Sequence, residues 1–290
     1  MNIIAEKNGI IIEGIKHFNL VHTFECGQCF RWEREQDGSY TGVVGEKVIN
    51  IRQVEPKTFE IHNITVQQWQ ETWLRYFDIE RDYDAIKNAL SSDPTLANAV
   101  AFGWGIRILQ QDLWECIISF IISSNNIIPR IKKIIGDIAK EYGNKLIYNG
   151  KVYYSFPKAK DLYGKTVEDL SFCKSGYRCK YILDAAKAVC QNDVDISVLP
   201  SLSTQEARAQ LMKIKGIGPK VADCILLFAL QKHDVFPADV WIKRVVEKWY
   251  LGKESSLNQI KHFSDTHYGD LAGFAQQYLF YYAREHKIKE

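Results

Sequence analysis

Between residues 27 and 64 the apolar positions of this 290-residue chain recur with period two. The segments 28–34 (QCFRWER), 39–44 (SYTGVV), 47–53 (KVINIRQ) and 58–64 (TFEIHNI) alternate as half-buried strands do. Gln36-Asp37-Gly38-Ser39 is a hairpin turn signal, and Gly45-Glu46 and Glu55-Pro56 mark the next reversals. An antiparallel meander is predicted. At Thr65 the period changes, because Thr65 and Gln68 have capping-box spacing and the helical run WQETWLRYF follows.

Past about residue 105 the pattern is helical nearly throughout. The stretch 112–124 (DLWECIISFIISS) is apolar almost all round, which predicts a central buried helix. Further helices are predicted over 128–142, 179–189, 204–214, 221–230, 239–250 and 272–286. The expected class is α+β: an N-terminal antiparallel sheet domain with flanking helices over 1–104, then a mainly α-helical domain over 105–290.

Composition changes this picture little, since 46% hydrophobic and 25% charged residues suit an ordinary globular protein. No run approaches the ~20 apolar residues of a membrane helix. The N-terminus lacks a basic start, apolar core and cleavage site. A soluble, intracellular protein is expected, and a monomer. Seven cysteines, an odd number, make no disulfide framework. Cys26 and Cys29 form a CGQC pair, but no second ligand pair follows for zinc, and no βαβ context supports redox work. No nucleotide cofactor or catalytic metal is implied. The net charge of +2 hides an asymmetry: residues 130–187 carry 13 Lys and Arg against 6 Asp and Glu, a local +7. That suits a polyanion as well as it suits a solvated lysine-rich face.

The chemistry concentrates at 212–224, MKIKGIGPKVADC. Ser203 and Glu206 have capping-box spacing, so a helix begins there and ends near Ile214. Gly216 and Gly218 are expected to make the reversal with positive φ, and Pro219 opens the next helix. A glycine-rich turn at a helix N-terminus offers unpaired N–H groups to a phosphate. Lys220 sits in the first turn, where the helix dipole opposes its charge. Burial would lower it further from its usual ~10.4, and a neutral amine is a nucleophile. A solvated first-turn lysine or a plain phosphate contact fits the same residues. Nineteen positions on, Asp239 in FPADVW is placed to cap a helix, and a carboxylate there can also stabilise positive charge on a sugar.

The hairpin IKGIGPKVADC followed by VFPADV resembles the helix-hairpin-helix, Gly/Pro-Asp superfamily of base-excision DNA glycosylases. GQCFRW (27–32), SFIISSNN (119–126), GYRCKY (176–181) and AGFAQQYLF (272–280), in that order, resemble the 8-oxoguanine DNA glycosylase/lyase family. The resemblance implies that Lys220 displaces the damaged base and forms a Schiff base that permits strand cleavage by β-elimination, with Asp239 as partner carboxylate. It implies double-stranded DNA carrying 8-oxoguanine as the partner. Gly27, Cys224, Gln276 and Phe280 match lesion-reading positions. Asn125, Asn126, Arg130, Tyr177 and Arg178 match those that fill the gap and hold the orphaned cytosine, and Gly216 and Gly218 the hairpin on the backbone. Carbonyls of Met212, Ile214 and Ile217 match a monovalent-cation position. Trp241 departs from the pattern, standing where relatives often carry a histidine near a phosphate. Two rivals remain open from the sequence: a glycosylase for another lesion, such as an alkylated purine or mispaired adenine, and a non-catalytic DNA-binding hairpin protein.

Overall fold

The structure is a computed structural model that describes residues 1–286. The predicted meander is present as β3 to β6, and two strands ahead of it complete the sheet. β1 (Asn2–Glu6), β2 (Gly9–Glu13), β3 (Trp32–Arg34), β4 (Tyr40–Val44), β5 (Lys47–Glu55) and β6 (Thr58–His62) pair antiparallel in the order β1-β2-β6-β5-β4-β3. Register sets the inward face: Ile10 opposes Ile61, Ile12 opposes Phe59, and Tyr40 opposes Ile51. That face packs on Phe18, Phe24, Trp69, Trp73 and Phe77 to form a core rich in aromatic rings. Gly38 takes the predicted turn at φ 82. The Thr65–Gln68 capping box forms, with both bonds at 3.2 Å.

The helical part is built from α1 (Leu113–Ser123), α2 (Ile128–Tyr142), α3 (Arg178–Cys190), α4 (Thr204–Leu211), α5 (Pro219–Leu230), α6 (Val240–Val246) and α7 (Ala272–Glu285), with shorter helices between them. α1 is the central helix: residues 116–122 are all buried, as its uniform apolar character requires. An unpredicted hairpin, β7 (Lys145–Tyr148) and β8 (Lys151–Tyr154), interrupts the helices.

The two cores do not divide at residue 105. Tyr83, Leu90, Leu96 and Val100 pack in the helical core, while Leu109 packs in the sheet's. Polar braces lock the junction. The buried Gln28 amide donates to the carbonyls of Thr23 and Arg107, each at 2.8 Å, and accepts from Leu109 N–H at 2.9 Å. The buried Arg107 guanidinium donates to the carbonyls of Asp78 and Lys16. These bonds hold the 26–29 turn against the helical core.

Candidate active site

Ser203 caps α4 in the predicted capping box with Glu206. The chain then turns through Gly216 into α5, where Pro219 occupies the first turn. Only one of the two glycines uses positive φ. Gly216 lies at φ 88, and a Cβ there would stand 2.5 Å from the Tyr181 ring. Gly218 is extended, at φ −92 and ψ −179, as the N-cap of α5, so the expectation of positive φ there is corrected. Its glycine character serves access: nothing lies within 4 Å of where its Cβ would be. The hairpin is tied to α3 by Asp184, which takes the Lys215 N–H and pairs with its ammonium, both at 3.3 Å. The Ile214 carbonyl, one of the three matched to a cation, accepts from Ile217 N–H at 3.1 Å and keeps one lone pair.

Lys220 projects from the first turn of α5 toward α1, its Nζ 5.9 Å from the centroid of Phe120. Phe120 in turn stacks on Phe228 at 5.5 Å. Burial disfavours the Lys220 ammonium, but the Cys224 sulfur and the Asp239 carboxylate outweigh it and hold the amine above its ordinary value. The lowering expected from burial is thus reversed by two neighbours. Burial raises the Cys224 thiol, opposed by Lys220. Asp239 caps α6 as predicted, accepting from Ile242 N–H at 2.8 Å.

A second group of predicted residues meets where the Gly27 turn packs on α7. Gly27, at φ 89, points its absent Cβ at Phe280 Cε1 (3.2 Å), Arg284 Nη1 (3.4 Å) and Ile128 Cδ1 (3.9 Å). Phe280 is half-buried on α7, and Gln276 one turn earlier is 5% exposed. The Gln276 Oε1 has no hydrogen-bond partner among the described residues. A buried orphan acceptor is costly unless a ligand supplies the donor. Two α7 side chains missed by sequence reasoning fix the Gly27 turn: Gln277 donates to the Cys26 carbonyl at 2.9 Å, and Arg284 to that of Glu25. For Arg284 the signal was present in the spacing, since Gln276, Phe280 and Arg284 follow one helix face at intervals of four, whereas Gln277 left none.

The candidate DNA face divides into exposed and buried members. Asn125 is exposed at φ 48, a left-handed conformation at the α1–α2 corner. Tyr177 is 54% exposed, and Arg130 is exposed with Nη2 on the Lys174 carbonyl at 3.1 Å. Asn126 instead closes the corner: its amide donates to the Ile122 carbonyl and accepts from Ile127 N–H, both at 3.0 Å. Arg178 is 4% exposed. Its guanidinium donates to the carbonyls of Ser124, Asn125 and Ser175, and stands 4.6 Å from the Tyr177 ring. In this state it fixes the Asn125 corner and braces Tyr177, and does not face solvent. Part of the basic run is paired: Lys132 with Glu33, Lys133 with Asp137, Lys151 with Glu35. Trp241 is half-buried, its indole N–H without a partner among the described residues.

Cys26 and Cys29 are buried free thiols, and burial raises both, Cys26 to about 11. No group of three or more His, Cys, Asp or Glu among the described residues is arranged to hold a metal ion.

A helix-hairpin-helix that carries a half-buried lysine and is followed by a capping aspartate fits a base-excision type of DNA-repair protein. Comparison with known proteins agrees. Residues 10–117 match the 8-oxoguanine DNA glycosylase N-terminal domain, and 118–264 the HhH-GPD superfamily of base excision DNA repair proteins. The probable N-glycosylase/DNA lyase of Methanothermobacter thermautotrophicus is 32% identical, covering 72% of this chain and 71% of that one. The N-glycosylase/DNA lyase OGG1 of Arabidopsis thaliana is 30% identical over 89% of this chain and 75% of its own. Among solved structures, MBOgg1 in complex with a low affinity DNA ligand is 49% identical at TM-score 0.96, covering 99% of both chains. The Clostridium acetobutylicum 8-oxoguanine glycosylase/lyase, in complex with duplex DNA containing cytosine opposite 8-oxoguanine, is 43% identical at TM-score 0.97, again over 99% of both. The chain belongs to the 8-oxoguanine DNA glycosylase family of the HhH-GPD superfamily.

Proposed function

We infer that this protein is a bifunctional glycosylase of base excision repair: it removes 8-oxoguanine from duplex DNA and then cleaves the strand at the abasic site. Two observations support the reading: Lys220 lies beside Cys224 and Asp239 on the hairpin, and Gly27 meets Phe280 one helical turn from the orphaned Gln276 acceptor. Extruding a base costs a few kcal/mol, which the filling and gripping groups must offset. Tyr177 and Asn125, exposed on rigid corners, are the groups to enter the gap, and Arg130 to meet the orphaned base. Arg178 acts indirectly, through the Asn125 corner.

In the proposed chemistry the free Lys220 amine attacks C1′ and the base departs. The attached nitrogen, unlike a hydroxyl, then uses its lone pair to break the C1′–O4′ bond, O4′ taking up a proton as the sugar ring opens. The resulting iminium acidifies C2′, whose proton loss expels the 3′ phosphate by β-elimination. Asp239 stabilises positive charge on the sugar. Gln276 supplies an acceptor for the Watson–Crick edge, and the Gly27 carbonyl an acceptor for the N7–H that guanine lacks. Guanidinium donors match the O2 and N3 acceptors of cytosine, so excision opposite cytosine is favoured. Among the described residues no helix is long and apolar enough to cross a membrane.

Borohydride trapping on a duplex with 8-oxoguanine opposite cytosine tests this. Wild type forms a covalent complex and Lys220→Gln forms none while still binding the duplex. An adduct that persists in Lys220→Gln, or maps to another side chain, refutes the assignment. Competition against duplexes carrying an alkylated purine or mispaired adenine tests the substrate.

A further inference from the structure

The face of α7 that carries Gln276 and Phe280 continues one turn on to Arg284. Its guanidinium is held from several sides. Nη2 donates to the Glu25 carbonyl and Nε to Glu285 at 3.0 Å, while the group stands 5.8 Å from the Phe280 ring and 5.5 Å from that of Tyr281. Nη1 is buried and has no partner among the described residues. It lies 3.4 Å from where a Gly27 Cβ would stand, and Phe280 Cε1 lies 3.2 Å from the same point. The orphan donor therefore sits on the edge where Gly27 meets Phe280. A guanidinium does not shed its proton, so the charge there is permanent. An acceptor brought by a ligand is what this nitrogen lacks.

We propose that Arg284 is a specificity-determining residue of the base pocket, whose Nη1 takes up negative charge on the departing purine. The proposal rests on the base-excision reading above. In that step the Lys220 Nζ–C1′ bond forms and the C1′–N9 bond breaks. The electron pair of the broken bond leaves with the purine, and the proton lost by the amine balances it. In 8-oxoguanine the pair spreads onto the C6 and C8 oxygens that flank N7, the edge facing Gly27. Guanine carries only hydrogen at C8. A fixed cation at this edge stabilises the transition state for the oxidised base more than for guanine. The competing role is mechanical: Arg284 and Gln277 together latch the Glu25 and Cys26 carbonyls.

Two single-turnover assays separate the roles: base release from a duplex with 8-oxoguanine opposite cytosine, and β-elimination on a duplex with a preformed abasic site, whose pocket holds no base. Removal of one charge-stabilising donor typically slows a reaction 10²–10³-fold, so Arg284→Met should slow base release by about 100-fold. Its β-elimination rate and duplex affinity should stay within about threefold of wild type, because neither depends on a purine anion. Arg284→Lys keeps the charge and should recover about tenfold of the loss. Equal losses in both assays, a lysine variant no faster than Met, or unchanged base release would overturn the proposal. A wild-type protein that opens abasic sites yet releases no 8-oxoguanine would overturn the substrate reading itself, and this proposal with it.

Discussion

Asp239→Asn and Asp239→Ala separate two things that one carboxylate does. As N-cap of α6, at φ −91 and ψ −178, Asp239 accepts from Ile242 N–H at 2.8 Å. Asparagine caps about as well as aspartate, whereas alanine loses the bond at a cost of about 1 kcal/mol. For a chain of this size that is a fall in Tm of about 2–4 °C. Asp239→Asn should therefore melt within about 1 °C of wild type and Asp239→Ala about 2–4 °C below it. Catalysis should follow charge instead. The Asp239 carboxylate is close enough to Lys220 to help hold its ammonium, hence close to any positive charge that forms on a sugar bound there. Losing it should cost both variants about 10²–10³-fold in single-turnover base release. Because the carboxylate also holds the Lys220 proton on, the alkaline rise in rate should begin at lower pH in Asp239→Asn. Thermal denaturation beside a pH–rate profile measures all of this. An asparagine variant that melts like alanine but excises like wild type would refute the reasoning.

Gly216→Ala puts a Cβ 2.5 Å from the Tyr181 ring at a φ of 88. The left-handed backbone alone costs ~1–2 kcal/mol, so Tm should fall by about 2–8 °C, with weaker duplex affinity in a titration. Burial lifts the Glu115 carboxyl from 4.5 to about 7, against the pull of Arg31. The folded state then keeps a proton that the unfolded chain has lost, so stability falls as pH rises from about 4.5 to about 7. Glu115→Gln should remove that slope in denaturant titrations at pH 5 and 7.5, and an unchanged difference between the two pH values would refute it.

Local chemistry made much of the fold legible. The meander, both capping boxes, the Asp239 cap and the α5 start all follow from residues within a few positions of one another. β1 and β2 were missed although they pair locally through Lys7-Asn8; what their own residues do not show is the pairing of β2 with the distant β6 that joins them to the meander. β7 and β8 did carry a signal: Asn149-Gly150, at φ 46 and 73, is the two-residue hairpin pair. Expecting helix throughout hid it. The pocket shows the opposite limit. Gln276 and Cys224 are core-like by pattern, and only the resemblance singled them out. Arg178 shows a resemblance running ahead of the structure, since GYR reads as an exposed turn while its guanidinium folds inward onto three carbonyls.

The charge state of Lys220 turns on which of its neighbours is ionised at working pH. The charge attraction of Cys224 for the ammonium needs the thiolate, and burial raises that thiol above its ordinary value; its sulfur also shares a hydrogen bond with Lys220. At neutral pH that charge attraction is therefore absent, and what remains is burial, which releases the proton, against the Asp239 carboxylate and the Cys224 hydrogen bond, which retain it. The amine is thus easier to free at neutral pH than with its full set of neighbours charged, and Asp239 is the charge that still opposes its release. Cys224→Ala tests this on a preformed abasic site, where no base rests against residue 224. Its β-elimination rate at pH 7 should stay within about threefold of wild type, while at alkaline pH the Lys220 titration moves downward because the thiolate is gone. If Cys224→Ala shifts the neutral-pH rate as far as Asp239→Asn does, then the sulfur is already charged at pH 7 and the division of labour drawn here between thiol and carboxylate is wrong.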